Sequence, residues 1–204
     1  ELARLHSVLS LLDRELPDAV VSVDTFRGDV AREVVREHNV SIINDVSAYE
    51  WDDQMLQTVA DLNVPYVLTH SVGFAGNKVC YDDFLPQVLQ RLASKMWQLH
   101  QLGVKDVIVD PGFGFGKSVE QNYTMLDNLR EFAMLDAPIL VGVSRKSMIT
   151  KLLGIPAAES LSGPVALNRA GVMGGAHIPR LHGVKEAVDT VKLFIAMKGC
   201  ARRW

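Results

Sequence analysis

The sequence contains very little cysteine. Cys80 and Cys200 are the only two cysteines among 204 residues, and neither belongs to a CxxC or Cys/His metal-binding spacing. This excludes a disulfide-rich scaffold and a cysteine-based zinc site. We expect both residues to be free thiols in a reducing compartment.

The chain also lacks an excess of either charge and any long hydrophobic run. Its 21 basic and 24 acidic residues leave a formal net charge of -3, which gives no electrostatic support for binding nucleic acid or a membrane surface. No run reaches about 18 apolar residues, and charges recur throughout residues 1–16, so we expect neither a transmembrane span nor a signal peptide. With 48% hydrophobic residues, residues 1–204 are predicted to form a single soluble domain.

Short runs rich in Val and Ile alternate with helix-like patterns along the chain. This alternation is typical of βαβ units and a parallel sheet. Helical patterns are predicted at residues 1–15, around Val30 and Val34, from Leu85 to Leu99, and from Val184 to Phe194. Asp82 or Asp83 is expected to cap the longest helix, and Asp52 and Asp53 are interpreted as the start of another. The predicted strands are residues 19–23, 41–44, 66–69, 107–110, 139–143 and 176–180.

Polar residues follow all six predicted strands. Because the carboxyl ends of parallel strands meet at one edge, ligand sites of βα folds lie there. The fourth strand runs into residues 110–117 (DPGFGFGK), in which Pro111 ends the ladder and three glycines permit close approach of a ligand. Lys117 lacks the spacing of a phosphate-binding lysine and is interpreted as a loop anchor. The strand-end residues are Asp24, Asn44, His70, Asp110, Lys146, Arg180 and His182.

The residue types in this set indicate a ligand with two chemical faces. Asp24, Asn44 and Asp110 suit a flat heterocycle rich in N–H donors, because a carboxylate accepts two parallel donors in a bidentate pair. Lys146 can serve acceptors on the same ring. Arg180 and His182, at i and i+2 of one strand, suit an anion such as phosphate or pyrophosphate. Other histidines, His6, His38 and His100, are interpreted as surface residues, and His177 as structural.

Five segments together resemble the dihydropteroate synthases, a family of pterin-binding enzymes. They are Val23-Asp24-Thr25, Ile43-Asn44-Asp45-Val46, residues 110–117, Gly142-Val143-Ser144-Arg145-Lys146-Ser147 and Arg180-Leu181-His182. The resemblance covers almost the whole chain. It implies a (β/α)8 TIM barrel that condenses 6-hydroxymethyl-7,8-dihydropterin pyrophosphate with p-aminobenzoate in folate biosynthesis, and a sulfonamide target.

The resemblance also implies roles for individual residues. Asp110, Lys146 and Arg180 are the expected catalytic residues. The expected substrate-binding residues are Asp24, Asn44, Asp110, Gly114, Phe115, Lys146, Ser147, Arg180 and His182. Mg2+ is the expected cofactor, although its ligand in the family belongs to an N-terminal loop, so no metal ligand is expected within this chain. A homodimer and a cytoplasmic location are expected, with an organelle as the alternative for a eukaryote.

The sequence departs from the family pattern in three places. The first two βα units of the barrel have no counterpart ahead of residue 1, and we interpret the chain as N-terminally incomplete. Gly183 follows His182 where the family often has Asp. Thr69 and Ser71 flank His70 where Met is common, which changes the expected polarity of the pterin pocket floor.

Two other functions remain open from the sequence. A methyltetrahydrofolate-binding methyltransferase shares Asp24, Asn44 and Asp110, but does not need Lys146 or the anion pair of Arg180 and His182. A non-catalytic homologue that acts as a stabilising partner is the other alternative, and the missing N-terminal units together with Gly183 are its only support.

Overall fold

The computed structural model describes residues 1–72, 83–144, 146–156 and 162–201. Cys80 and Asp82 lie outside these residues, as does the side chain of Cys200, so the predictions made for them stay predictions. The described chain alternates helices and strands. The strands are β1 Val21–Asp24, β2 Val40–Asp45, β3 Tyr66–Thr69, β4 Val107–Asp110, β5 Leu140–Val141 and β6 Ile178–Pro179. The helices are α1 Leu2–Glu15, α2 Gly28–Glu37, α3 Met55–Leu62, α4 Phe84–Gln101, α5 Val119–Asp127, α6 Ser147–Leu153, α7 Ser162–Met173 and α8 Val184–Ala201, with a 3-10 helix at Leu129–Leu135.

The chain divides into two compact units. The first contains residues 1–71 and 90–109, and the second contains residues 72–89 and 110–204. The strands pair in the order β1-β2-β3-β4 in one sheet, and β5 pairs with β6 in another. The pairs β1-β2, β2-β3 and β5-β6 are parallel, which confirms the predicted parallel arrangement at these strands.

Strands β3 and β4 are buried on both faces, whereas β1 is partly exposed. All four residues of β3 are buried, and so are those of β4, as expected of short apolar runs in a parallel sheet covered by helices. Helix α2 packs Val30, Ala31 and Val34 inward, a spacing that places them on one face. Helix α4 agrees closely with its predicted range, and its chain turns at Gly103, which has a φ of 86°.

Two predicted strands are shorter than the sequence pattern indicated. Strand β5 was predicted over residues 139–143 and β6 over 176–180, but each forms only two ladder pairs. Pro179 has no N–H to donate, which limits regular pairing there. Backbone bonds nevertheless continue past the strand, since the Arg180 N–H donates to the Val141 carbonyl at 2.8 Å. The Ile139 N–H donates to His177 Nδ1 at 3.1 Å, which confirms a structural role for His177.

Polar contacts attach α1 to the first unit. Leu9 is the buried apolar residue of this helix. His38 Nδ1 lies 2.7 Å from an Asp13 carboxylate oxygen, and His38 Nε2 lies 2.8 Å from Nδ1 of His6. The His38 side chain is only 7% exposed, so its interpretation as a surface residue is wrong. The hydrogen bond from His38 lowers the pKa of Asp13 below its usual value.

Asp52 joins two helix starts. Its carboxylate accepts the Gly28 N–H at the start of α2 at 2.7 Å, and the Gln54 N–H at 2.9 Å just before α3. These two backbone donors lower the pKa of Asp52. The predicted role of Asp52 at a helix start is confirmed, because its carboxylate accepts otherwise unsatisfied N–H groups at such positions.

Candidate active site

The loop after β4 is built on three glycines with positive φ. Gly112, Gly114 and Gly116 have φ values of 72°, 82° and 69°, a region that residues with a Cβ rarely adopt. A Cβ on Gly116 would lie 1.9 Å from the Val72 carbonyl oxygen, and the Val72 N–H donates to the Phe115 carbonyl. The glycines therefore permit both the turns and the close approach of residue 72 to the loop.

Lys117 holds this loop from within. Its side chain is buried, and Nζ donates to the Gly112 carbonyl at 2.7 Å and to the Phe115 carbonyl at 3.4 Å. The predicted loop anchor is confirmed. Burial lowers the pKa of Lys117 to about 7, against the opposing charge of Asp110.

Asn122 is a loop contact that the sequence analysis missed. This α5 residue is 1% exposed, and its Oδ1 accepts the Gly114 N–H at 2.7 Å. Its Nδ2 donates to the Ser118 carbonyl at 2.6 Å. One sequence signal could have located it. The pattern Ser118-Val119-Glu120-Gln121 is a capping box that begins α5 and so places Asn122 one turn into the helix.

Asp110 is a buried carboxylate at the end of β4. Its side chain is 2% exposed, and Oδ2 accepts from Arg180 Nη2 at 3.0 Å, while Oδ1 accepts the Gly112 N–H at 2.8 Å. Burial raises the pKa of Asp110, and the positive charge of Arg180 is the largest of the opposing effects. The Arg180 guanidinium therefore partly neutralises the Asp110 carboxylate, although the sequence analysis had assigned Arg180 to a substrate anion.

Arg180 reaches Asp110 across a glycine. A Cβ on Gly142 would lie 3.0 Å from Arg180 Nη2 and 3.1 Å from its Nε. Any larger residue at position 142 would crowd the guanidinium. Glycine is therefore favoured at position 142 because it leaves room for Arg180, and not only because glycine suits a turn.

Lys146 joins the same cluster from the chain that follows β5. Its Nζ donates to the Phe113 carbonyl at 2.7 Å and lies 4.1 Å from the centre of the Phe115 ring. A Cβ on Gly114 would lie 2.9 Å from Lys146 Cδ, so the glycine also makes room for the lysine stem. Ser147 is the exposed first residue of α6.

His182 lies two residues beyond Arg180. Its Nδ1 lies 3.1 Å from the Ser144 hydroxyl, and its ring is exposed. At Gly183, where the family resemblance led us to expect Asp, a Cβ would lie 2.4 Å from a carboxylate oxygen of Glu186. The Glu186 carboxylate therefore occupies the space that a side chain at position 183 would need. Contacts thus join Asp110, Gly114, Phe115, Lys146 and Arg180 within the second unit, and Ser144 to His182 beside them.

The first unit places Asp24 and Asn44 in register. They are paired residues of the parallel strands β1 and β2, so their side chains point to the same side of the sheet. Asp24 is exposed and Asn44 is buried. The next residue, Asp45, is fully buried and accepts from the Tyr66 hydroxyl at 2.6 Å and from the backbone of Ser47 and Tyr49, a structural role.

Comparison with known proteins decides the family. A family model described as pterin binding enzyme matches residues 1–182. The chain belongs to the pterin-binding enzyme family. The dihydropteroate synthase of Escherichia coli K12 is 35% identical over 198 residues, which are 95% of this chain and 69% of that protein. A mitochondrial folate synthesis bifunctional protein of Pisum sativum is 36% identical over 95% of this chain and 41% of its own length.

Solved structures of family members share this fold. A dihydropteroate synthetase with bound product is similar with a TM-score of 0.92 at 32% identity, covering 98% of this chain and 74% of that one. The dihydropteroate synthase of Xanthomonas albilineans with 4-aminobenzoic acid gives a TM-score of 0.86 at 33% identity, over 96% and 72% of the two chains. These relatives confirm the predicted fold class, the α/β TIM-barrel fold of the family. The division into domains stays a prediction.

Proposed function

We propose that this chain is a dihydropteroate synthase. It joins 6-hydroxymethyl-7,8-dihydropterin pyrophosphate to p-aminobenzoate and releases pyrophosphate and dihydropteroate. The function and the enzyme class predicted from the sequence, a transferase, are confirmed by the family and by its curated relatives. The structural observation that supports the chemistry best is the buried Asp110, which is paired with Arg180 in the cluster that Lys146 joins.

The pterin ring is assigned to four polar residues. On the family resemblance, we propose that Asp24, Asn44 and Asp110 accept N–H donors of the heterocycle and that Lys146 serves its acceptors. Burial of Asp110 supports this role, since a charge-assisted hydrogen bond gains strength where water is excluded. As positive charge develops on the pterin methylene, the Asp110 carboxylate stabilises that charge more than it stabilises the ground state.

p-Aminobenzoate is assigned to the glycine loop. Gly114, Phe115 and the exposed Ser147 are the residues proposed to receive it. Phe115 offers a flat apolar surface for an aromatic ring, and its contact with the Lys146 ammonium fixes that surface in place. Gly114 leaves the room that a Cβ would occupy.

Arg180 and His182 are assigned to the pyrophosphate. In the reaction the bond between the methylene carbon and the pyrophosphate oxygen breaks, and its electron pair leaves with the pyrophosphate. The arylamine nitrogen then bonds to the methylene carbon and loses a proton. The Arg180 guanidinium neutralises part of the leaving charge, and an imidazole N–H of His182 donates to it. Because the arylamine is itself the nucleophile, no protein nucleophile is needed. When pterin N–H groups bind Asp110, Arg180 can exchange its carboxylate partner for the pyrophosphate.

Mg2+ is the cofactor expected from the family resemblance. Within the described segments, no three His, Cys, Asp or Glu side chains gather in a way that could hold a metal ion. We propose that Mg2+ binds together with the pyrophosphate, as the family resemblance implies.

Assembly as a homodimer and a cytoplasmic location complete the proposal. Apolar residues of α8, including Val184 and Ile195, are exposed, and so is Met173 of α7, which supports a contact between two copies. No helix in the described part of the chain is long and apolar enough to cross a membrane. The pea relative is named as mitochondrial, so the organelle alternative applies if the chain comes from a eukaryote.

Calorimetry with the pterin pyrophosphate and Mg2+ tests the assignment. Lys146→Ala and Arg180→Ala should each weaken binding by on the order of 2 kcal/mol or more, about 30-fold in Kd, because each removes a charge paired in the site. Lys185→Ala and Arg14→Ala are matched controls, since both side chains are largely exposed, and they should leave Kd unchanged. An unchanged Kd in both site variants would refute the site. Pterin binding that ignores the pyrophosphate would favour the methyltransferase alternative instead, and no binding by the unsubstituted chain would favour the non-catalytic partner.

A further inference from the structure

Asn122 is a buried polar residue with no assigned role in the proposed reaction. It lies in the first turns of α5 and is 1% exposed. A buried primary amide costs free energy unless its groups are hydrogen-bonded. Both ends of this amide are used: Oδ1 accepts from the Gly114 N–H, and Nδ2 donates to the Ser118 carbonyl and, at 3.4 Å, to that of Lys117.

These bonds place Asn122 between a rigid helix and the middle of the glycine loop. The helix side is fixed by the capping box of Ser118 and Gln121. The loop side is Gly114, whose φ of 82° is one of many conformations open to glycine. An acceptor 2.7 Å from its N–H selects the orientation of the peptide between Phe113 and Gly114.

The orientation of that peptide affects two groups of the proposed site. The carbonyl of Phe113, in the same peptide, accepts from Lys146 Nζ at 2.7 Å. Phe115 follows directly, and its ring contacts the same ammonium. A rotation of the peptide at Gly114 would therefore move the carbonyl that holds Lys146 as well as the ring beside it.

We propose that Asn122 is a positioning residue for p-aminobenzoate. By holding the Gly114 N–H it fixes Phe115 and the Lys146 ammonium in the arrangement that receives the arylamine. This role rests on the proposed synthase function and deepens it. Asn122 does not itself contact the substrate; it acts through Gly114 and the residues that Gly114 positions.

The chain offers a closely matched control in Asn128. Its backbone N–H and its Nδ2 both donate to the Thr124 carbonyl, four residues earlier, just as the corresponding groups of Asn122 donate to Ser118. Among the described residues, Asn128 makes no hydrogen bond to the glycine loop. Asn128→Ala therefore removes the same local bond without removing the hold on Gly114.

Steady-state kinetics of Asn122→Ala, Asn128→Ala and the unsubstituted chain test the proposal. Asn122→Ala should raise KM for p-aminobenzoate about tenfold, since small displacements of a positioning group have large effects, with the Kd of the pterin pyrophosphate changed less than twofold. Asn128→Ala should leave both constants unchanged. A purely structural defect would instead lower kcat and both affinities together, and that result would overturn the proposal.

Asn122→Asp provides a second test, which remains usable if the Asn122→Ala variant fails to fold. When protonated, the introduced carboxyl copies the amide: one oxygen accepts from Gly114, and the hydroxyl donates to Ser118. When ionised it sets a negative oxygen against that carbonyl. Its KM for p-aminobenzoate, divided by the unsubstituted value at each pH, should fall towards one as pH is lowered from about 8 to about 5. A ratio that stays near one at every pH would overturn the proposal.

Amide hydrogen exchange separates this inference from the proposed function. Asn122→Ala should increase exchange at the Gly114 N–H relative to Asn128→Ala, whether or not the chain turns over substrate. If the unsubstituted chain binds neither substrate, the proposed function fails and the role in p-aminobenzoate binding is overturned with it. If the chain is active and exchange at Gly114 equals that of the control, only the inference fails.

Discussion

At the scale of single residues, the site depends on the space that each glycine leaves. Gly116 and Gly103 both have positive φ, but they differ in surroundings: a Cβ would meet the Val72 carbonyl oxygen at Gly116, and nothing within 4 Å at Gly103. The pair therefore separates the cost of backbone conformation from the cost of a steric clash.

Gly116→Ala should be far more destabilising than Gly103→Ala. For Gly103→Ala we expect a loss of about 1 kcal/mol in the free energy of unfolding, because alanine is strained at positive φ. Gly116→Ala should lose about 3 kcal/mol or more, since the loop and residue 72 must also move apart. Urea unfolding measures both. Equal losses would contradict the close approach of Val72.

Lys117 makes the stability of the protein depend on pH. Burial lowers its pKa to about 7 in the folded state, whereas an unfolded lysine titrates near 10.4. Below pH 7 the residue is charged in both states, so its destabilising effect is constant. Between about pH 7 and pH 10 the unfolded state binds more protons, and the free energy of unfolding rises with pH by up to about 1.4 kcal/mol per unit.

Lys117→Met should remove this pH dependence. Chemical unfolding at several pH values between roughly 6.5 and 9.5 checks it, with Lys185→Met as the control, because Lys185 is almost fully exposed. The control should keep the slope of the unsubstituted chain. If Lys117→Met keeps it as well, another group causes the dependence.

At the scale of elements, α5 carries the loop contact and has its own start signal. The Ser118 side chain accepts the Gln121 N–H at 3.1 Å, and Gln121 Oε1 accepts the Ser118 N–H at 2.9 Å. This reciprocal pair satisfies two N–H groups that the first turn would otherwise leave without partners. The start of α5 is thereby fixed next to the glycine loop.

Ser118→Ala should cost about 1 kcal/mol in the free energy of unfolding, the usual effect of losing an N-terminal cap. It should also raise KM for p-aminobenzoate slightly, because Asn122 depends on this turn. Ser10→Ala, at an exposed position inside α1, is the control and should change stability by less than about 0.5 kcal/mol. A loss no greater than that of the control would argue against the capping box.

Helix α1 shows a different kind of attachment. Leu9 is its buried residue, and Asp13, His38 and His6 supply polar contacts instead. The lowered pKa of Asp13 means that its contribution to stability is present above its unfolded pKa, near 3.9, and is lost as pH falls through the folded value. The attachment of α1 thus weakens in acid.

At the scale of the whole molecule, exposed apolar residues on α8 bear on assembly. Val184, Val188 and Ile195 are 75%, 44% and 63% exposed, and their spacing places them along one face of the helix. A row of this kind on a surface helix is a candidate for contact with a second copy. The proposed homodimer uses this face.

Ile195→Lys should shift the proposed dimer to monomers, because a charge would have to be buried in the apolar contact. Sedimentation velocity at several concentrations measures the change. Leu11→Lys is the control, since Leu11 is an exposed apolar residue of α1, and it should leave the association unchanged. A monomeric unsubstituted chain, or a dimer unaffected by Ile195→Lys, would refute this interface.

Much of the fold and part of the site could be predicted from the sequence. Strands β3 and β4 were located correctly because a short, mostly apolar run is a local pattern. Strands β5 and β6 were predicted too long, since the apolar pattern persists beyond the two ladder pairs, which end at Val141 and Pro179. The buried His38 was missed because periodicity on α2 does not report that Asp13 and His6 lie beside its end.

By itself, the sequence determined the alternating order of elements, the polar groups at the strand ends and the pterin-binding family. Only the tertiary structure decided which groups meet: Arg180 pairs with Asp110 across 70 residues of sequence, and Asn122 holds Gly114 from a neighbouring helix. The reason is physical. A local pattern reports burial and turn preference, whereas a hydrogen bond or a pKa shift depends on distances set by packing.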